Sequence, residues 1–151
     1  MKRFATFVVD GRTLGVDVAR VREVTGAREL TPVPLADPAI AGLLNLRGEI
    51  VTAIDLRARL GLPAAEAVAD DGSEAMHVVL TGAEPVSLLV DDVGDVVEVE
   101  EDAFELPPVT LRGPAGELIR GAYQREGALL LELDLDRALD ARTERDEVSR
   151  P

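Results

Sequence analysis

The chain matches itself at two offsets, and this repeat constrains the fold more than any other feature. At an offset of 79, Ile40, Gly42, Gly48, Asp55, Leu56 and Leu60 fall on Ile119, Gly121, Gly127, Asp134, Leu135 and Leu139. At an offset of 72, Leu14, Val16, Val18, Val21 and Val24 fall on Val86, Leu88, Val90, Val93 and Val96. Self-similarity of this kind means one supersecondary unit built twice. Two such units facing each other leave a groove between them, so the groove is where function is sought.

The residues within each copy read as short strands. Segments 4–9 and 12–18 form a hairpin around Asp10-Gly11, with Leu14, Val16 and Val18 alternating with polar or small neighbours. From Val18 the apolar spacing becomes three (Val18, Val21, Val24), which predicts a strand running into a helical turn that Gly26 ends. Pro32 and Pro34 make 30–36 an edge strand or an extended loop. Asp37-Pro38 predicts a short helix. Strands 43–46 and 49–55 meet through a tight turn at Arg47-Gly48, and Asp55 caps a helix over 56–60. Segment 63–75 is small and polar, a linker composition. The second copy repeats the pattern, with strands at 76–81 and 86–90, a strand-to-turn change over 91–99 and a Pro107-Pro108 loop. Strands near 118–124 and 128–134 follow, then a helix over 135–141. Residues 1–140 thus read as one domain with a first repeat (1–62), a linker (63–75) and a second repeat (76–140). A charged tail, 141–151, follows. Short strands with regular turns argue for small β-barrels, and two copies for two barrels side by side.

Composition narrows the chemistry. The 151 residues are 46% hydrophobic with few aromatics and no Cys, so disulfide and thiolate chemistry are excluded. The net charge of −13 is uneven: residues 1–62 hold nine Lys/Arg against seven Asp/Glu, and residues 63–151 hold seven Arg against 22 Asp/Glu. Nucleic-acid binding needs clustered cations and is disfavoured. The acidic half reads either as a solvated face or as a surface for a partner of different charge. No apolar run reaches the roughly 20 residues of a membrane helix. The start, Met1-Lys2-Arg3-Phe4, lacks the apolar stretch of a signal peptide, so the expected compartment is the cytoplasm.

No active site emerges. His77 is the only His, lies in a strand, and reads as structural with no neighbouring nucleophile. The glycines form no phosphate loop. Asp91, Asp92 and Asp95 suggest a hard cation or a small enzymatic module, but lack calcium-loop spacing. No metal ligand, cofactor or catalytic residue is therefore assigned. Arg47 carries two open readings: an ordinary exposed turn arginine, or a forked donor held on a rigid hairpin for a partner carboxylate or carbonyl.

The run Gly42-Leu43-Leu44-Asn45-Leu46-Arg47-Gly48, continuing to Ile54-Asp55-Leu56-Arg57, resembles the signature of CheW-type chemotaxis coupling proteins. Val18-Ala19-Arg20-Val21-Arg22-Glu23-Val24, Leu89-Val90-Asp91-Asp92-Val93, Ile119-Arg120-Gly121 and Leu133-Asp134-Leu135 resemble further motifs of that family, in order, over roughly residues 4–140. Thr52 departs from it, where members often carry Pro. The resemblance implies two five-stranded SH3-like β-barrels, related by a pseudo-twofold repeat, on a shared core. It also implies an adaptor rather than an enzyme, one that couples the cytoplasmic helical tip of a chemoreceptor to the regulatory domain of a CheA-type histidine kinase. Such an adaptor is recruited to membrane arrays through its partners, without membrane insertion of its own. The receptor contacts it implies are Val21, Glu23, Gly42, Asn45 and Arg47; kinase contacts are not assigned to residues. A same-fold adaptor of a twitching-motility or developmental array is the alternative within the family.

Overall fold

A computed structural model describes residues 1–26, 28–63, 75–106 and 113–140. Eleven strands are seen among them: β1 (Lys2–Val9), β2 (Arg12–Asp17), β3 (Val21–Thr25), β4 (Ile40–Leu46), β5 (Glu49–Asp55), β6 (Met76–Leu80), β7 (Val86–Val90), β8 (Asp92–Val99), β9 (Phe104–Glu105), β10 (Ile119–Arg125) and β11 (Ala128–Leu133). Three short helices join them: α1 (Leu56–Arg59), α2 (Pro114–Leu118) and α3 (Leu135–Ala138). The strands form a six-stranded sheet, β8-β1-β2-β11-β10-β9, and a five-stranded sheet, β3-β6-β7-β5-β4. The expected mainly β, two-unit architecture is present.

The assignment of repeats to barrels is corrected. Residues 1–62 and 76–140 are not the two sheets. Hairpin β1–β2 of the first repeat joins β8, β10 and β11 of the second, while β6–β7 joins β3, β4 and β5. The exchange is made by two parallel ladders, β11 on β2 and β5 on β7. Their registers obey the sequence repeat. Leu131 faces Leu14 and Thr52 faces Val86, positions that correspond through the offsets of 79 and 72. Strands β8 and β9 end one sheet and β3 and β4 the other, and no ladder among the described residues closes either.

The hairpins repeat down to their irregularities. A bulge interrupts β4–β5 between Ile40 and Gly42, and the same bulge interrupts β10–β11 between Ile119 and Gly121. Gly42 and Gly121 share a cause. A short segment laps the outer edge of each strand at the equivalent place, Thr31 on Leu43 and Glu105 on Ala122. A Cβ on Gly42 would sit 2.8 Å from the Thr31 carbonyl oxygen, and one on Gly121 would sit 2.2 Å from the Phe104 ring. Asp55 and Asp134 cap α1 and α3 with their side chains, accepting from the backbone N–H of Arg57 and Arg137.

Several local expectations change. The helical turn after Val18 spans only Val18–Arg20 as a 3₁₀ turn capped by Asp17, and the chain returns to strand as β3. The three-residue spacing reflects a register shift between Val21 and Glu23 against β6, not a helix face. The equivalent segment lies in one strand, β8, with its own register shift against β1 between Val93 and Val96. Asp37-Pro38 makes one turn, with Asp37 Oδ1 accepting from Ala39 N–H at 2.8 Å, and β4 begins directly at Ile40. Helix α2, with Pro114 in its first turn, precedes β10 where a loop was expected. α3 ends at Ala138. Most of the linker, Pro107-Pro108 and the tail from 141 lie outside the described residues.

Three apolar clusters hold the fold. The main one lies between the sheets and joins Phe7, Leu14 and Val16 to Val78, Leu88 and Val90, with Leu56 and Leu135 from the helices. The others lie against each sheet's other face: Leu44, Leu46, Val51, Ala53 and Val79 in one, Phe4, Val99, Tyr123 and Leu130 in the other. In β6, Val78 and Leu80 join the main cluster and Val79 the second, because successive side chains point to opposite faces. Burying each such side chain stabilises by about 1.5–3 kcal/mol.

Candidate functional site

The β4–β5 turn is a two-residue hairpin whose central residues both have positive φ, Arg47 at 54° and Gly48 at 88°. This is the type I′ signature, which matches the twist of the flanking strands. Gly48 adopts it freely; for Arg47 the left-handed region costs roughly 1–2 kcal/mol. Asn45 holds the turn, its Oδ1 accepting from Gly48 N–H at 2.8 Å. Arg47 is thus projected from a braced tip, with its side chain 64% exposed.

Arg47 Nη2 donates to Glu23 Oε2 on β3. The same oxygen lies 3.3 Å from Arg22 Nε, and Arg22 Nη2 reaches Glu49 Oε1 at 2.7 Å. The guanidinium of Arg47, and then that of Arg22, hold the Glu23 carboxyl below its usual range. Arg22 is pushed further up, chiefly by its hydrogen bond to Glu49. In a flat sheet β3 and β4 would lie four strand spacings, about 19 Å, apart. Arg47, in the turn that ends β4, and Glu49, at the start of β5, nevertheless reach β3, so the sheet curls enough to bring the β4–β5 turn against β3 across a charged seam. Val24 on β3 and Ile50 on β5 are large exposed apolar side chains of those same strands.

Of the five expected contact residues, the fold brings Glu23, Asn45 and Arg47 together. Val21 is half-buried, pairs with Leu80 and packs on the main core. Gly42 is buried beneath Thr31, so its role is to let that segment approach. Sequence reasoning missed Arg22, Glu49, Val24 and Ile50. Arg22 and Glu49 adjoin motif residues, but their pairing depends on a curl that spacing does not reveal.

The other candidates resolve into structure. His77 has a neighbour after all: Ser87 Oγ lies 3.1 Å from its Nδ1. Both residues are buried, 1% and 0% exposed, so no substrate reaches them. Burial first, then nearby Arg28, lowers the His77 pKa. Asp91 is gripped bidentately by Arg57, at 3.0 and 2.8 Å, and also accepts from Asp10 N–H. Asp92 caps Val93 N–H. Among the described residues, no three His, Cys, Asp or Glu side chains are gathered in a way that could hold a metal ion.

Residues 3–143 match the CheW-like domain. The chain belongs to the CheW-like family. It is 30% identical over 139 residues to the chemotaxis protein CheW of Bacillus subtilis, a match that covers 92% of this chain and 87% of that protein. It is 28% identical to the chemotaxis protein CheW of Thermotoga maritima, with 95% and 91% covered. The scaffolding protein TtCheW of Thermoanaerobacter tengcongensis shares the fold, with a TM-score of 0.74 over 87% of this chain and 88% of that one, at 24% identity.

Proposed function

We propose that the chain is a cytoplasmic chemotaxis scaffold that couples the helical tip of a chemoreceptor to the regulatory domain of a CheA-type histidine kinase. Its work is binding, not turnover. Membership of the CheW-like family and the names of its relatives support the scaffold role. No helix among the described residues is long and apolar enough to cross a membrane, in keeping with recruitment through partners. The observation that carries the receptor contact is Arg47, a charged side chain held in a left-handed conformation at a braced tip. Val24 and Ile50 supply the apolar contact that an amphipathic helix needs. The kinase engages a different surface, so the two partners bind together.

The test is a titration of the folded chain with a soluble helical-hairpin fragment of a chemoreceptor cytoplasmic tip. Arg47→Ala should weaken binding about 10- to 150-fold, the loss expected for a charge-assisted hydrogen bond. Arg47→Gly should weaken it equally while staying within about 1 kcal/mol of wild-type stability. Relief of the left-handed strain offsets the lost ion pair and the added backbone freedom. Wild-type affinity in both variants would overturn the receptor reading.

A further inference from the structure

We infer that Arg22 is a positioning residue for Arg47, and that with Glu49 it sets how tightly the tip recognises a carboxylate-bearing partner. This rests on the receptor reading above. Arg22 is the only described side chain that touches both acids of the seam, Glu23 through Nε and Glu49 through Nη2. Glu23 in turn holds Arg47. The four charges form one chain across the gap, Glu49–Arg22–Glu23–Arg47. Its geometry is not explained by stability, because exposed ion pairs contribute little to folding. It is explained by aim. With Nη2 committed to Glu23, the remaining guanidinium N–H groups of Arg47 are left for a partner carboxylate, and less side-chain freedom is lost on binding. Without Arg22, Glu49 loses its cation and Glu23 keeps Arg47 but loses its second anchor. A lysine at position 22 is a point charge without the fork that reaches both acids.

The experiment uses the full chain and the same receptor-tip fragment. Affinities are measured for Arg22→Ala, Arg47→Ala, the double variant and Glu49→Gln, which unhooks the far end while keeping Arg22. Arg22→Ala should weaken binding about three- to tenfold and Glu49→Gln about two- to threefold. The double variant should be no weaker than Arg47→Ala alone, because groups acting through one another are not additive. A partner-free readout accompanies this. The Arg47 Nη–H signals in NMR should shift toward the free-arginine position in Arg22→Ala while the Gly48 amide, held by Asn45, stays in place. Multiplying effects in the double variant would make Arg22 an independent contact or a structural residue and overturn the proposal. So would wild-type affinity in both Arg22→Ala and Glu49→Gln when Arg47→Ala binds weakly. Wild-type affinity in Arg47→Ala would instead remove the receptor reading on which the proposal stands.

Discussion

Asn45, Arg47 and Gly48 divide one task between them. Asn45 closes the turn, Gly48 supplies the backbone freedom, and Arg47 carries the chemistry while bearing the strain. The turn was legible in the sequence, since Arg-Gly between apolar strands signals a hairpin. The positive φ of Arg47 was not, because it follows from the twist of the strands on either side. His77 was legible as structural, but its partner Ser87 lies diagonally across β6 and β7 and depends on their register. That burial has a pH consequence. The folded pKa of His77 is depressed, so the unfolded chain binds the proton more readily. The stability contributed by neutral His77 is complete above the unfolded value of about 6.5 and is lost as the pH falls below it. His77 is the only His, and carboxylates titrate lower, so the loss that sets in just below about pH 6.5 is its own. Urea unfolding at a series of pH values should show stability falling there in wild type and a flat profile in the same range in His77→Gln. Parallel slopes in both proteins would contradict the assignment.

At the scale of elements, the repeat was legible and its errors are instructive. The offset of 79 anticipated equivalent hairpins, caps and helices, and the structure reproduces even the bulges at Gly42 and Gly121. The triplet Val18, Val21, Val24 misled, because a strand with a register shift imitates helical spacing over so short a stretch. Two segments of the family resemblance, Asp55-Leu56-Arg57 and Leu89-Val90-Asp91, meet in one bidentate pair, Arg57–Asp91. Asp91 lies where the chain passes from β7 in one sheet to β8 in the other, and the Asp10 turn of β1–β2 joins it. The pair clasps the sheets together. It is mostly shielded, with side chains 18% and 29% exposed, so removing one partner leaves a charge in poor solvent contact. Asp91→Ala should therefore cost about 1.5–3 kcal/mol in urea unfolding. A loss below about 0.5 kcal/mol would mean the clasp is ornamental.

Across the whole molecule, self-similarity says which segments are equivalent but not which pair. Two compact halves and two exchanged halves give the same offsets, so the exchange through the parallel ladders could not be read from the sequence. It has a direct consequence. Fragments 1–63 and 75–151 should each be unfolded alone, because each lacks strands of both sheets, and should recover the β-sheet circular dichroism signal on mixing in equal amounts. A cooperative unfolding transition in either fragment by itself would contradict the exchange. The repeat also supplies an internal control for function. The second sheet carries the same type of turn at Glu126-Gly127, with φ of 42° and 80°, and exposes Val96 and Leu129 at the positions equivalent to Val24 and Ile50. There Glu126 replaces Arg47 and Asp95 replaces Glu23, so the geometry is kept and the charge is changed. The most direct test of the central claim is amide NMR of the labelled chain titrated with the receptor-tip fragment. The account predicts shifts in Val21–Thr25 and in Asn45–Ile50, with the Glu126-Gly127 turn unmoved. Shifts confined to the Glu126-Gly127 turn, with Asn45–Ile50 silent, would contradict it.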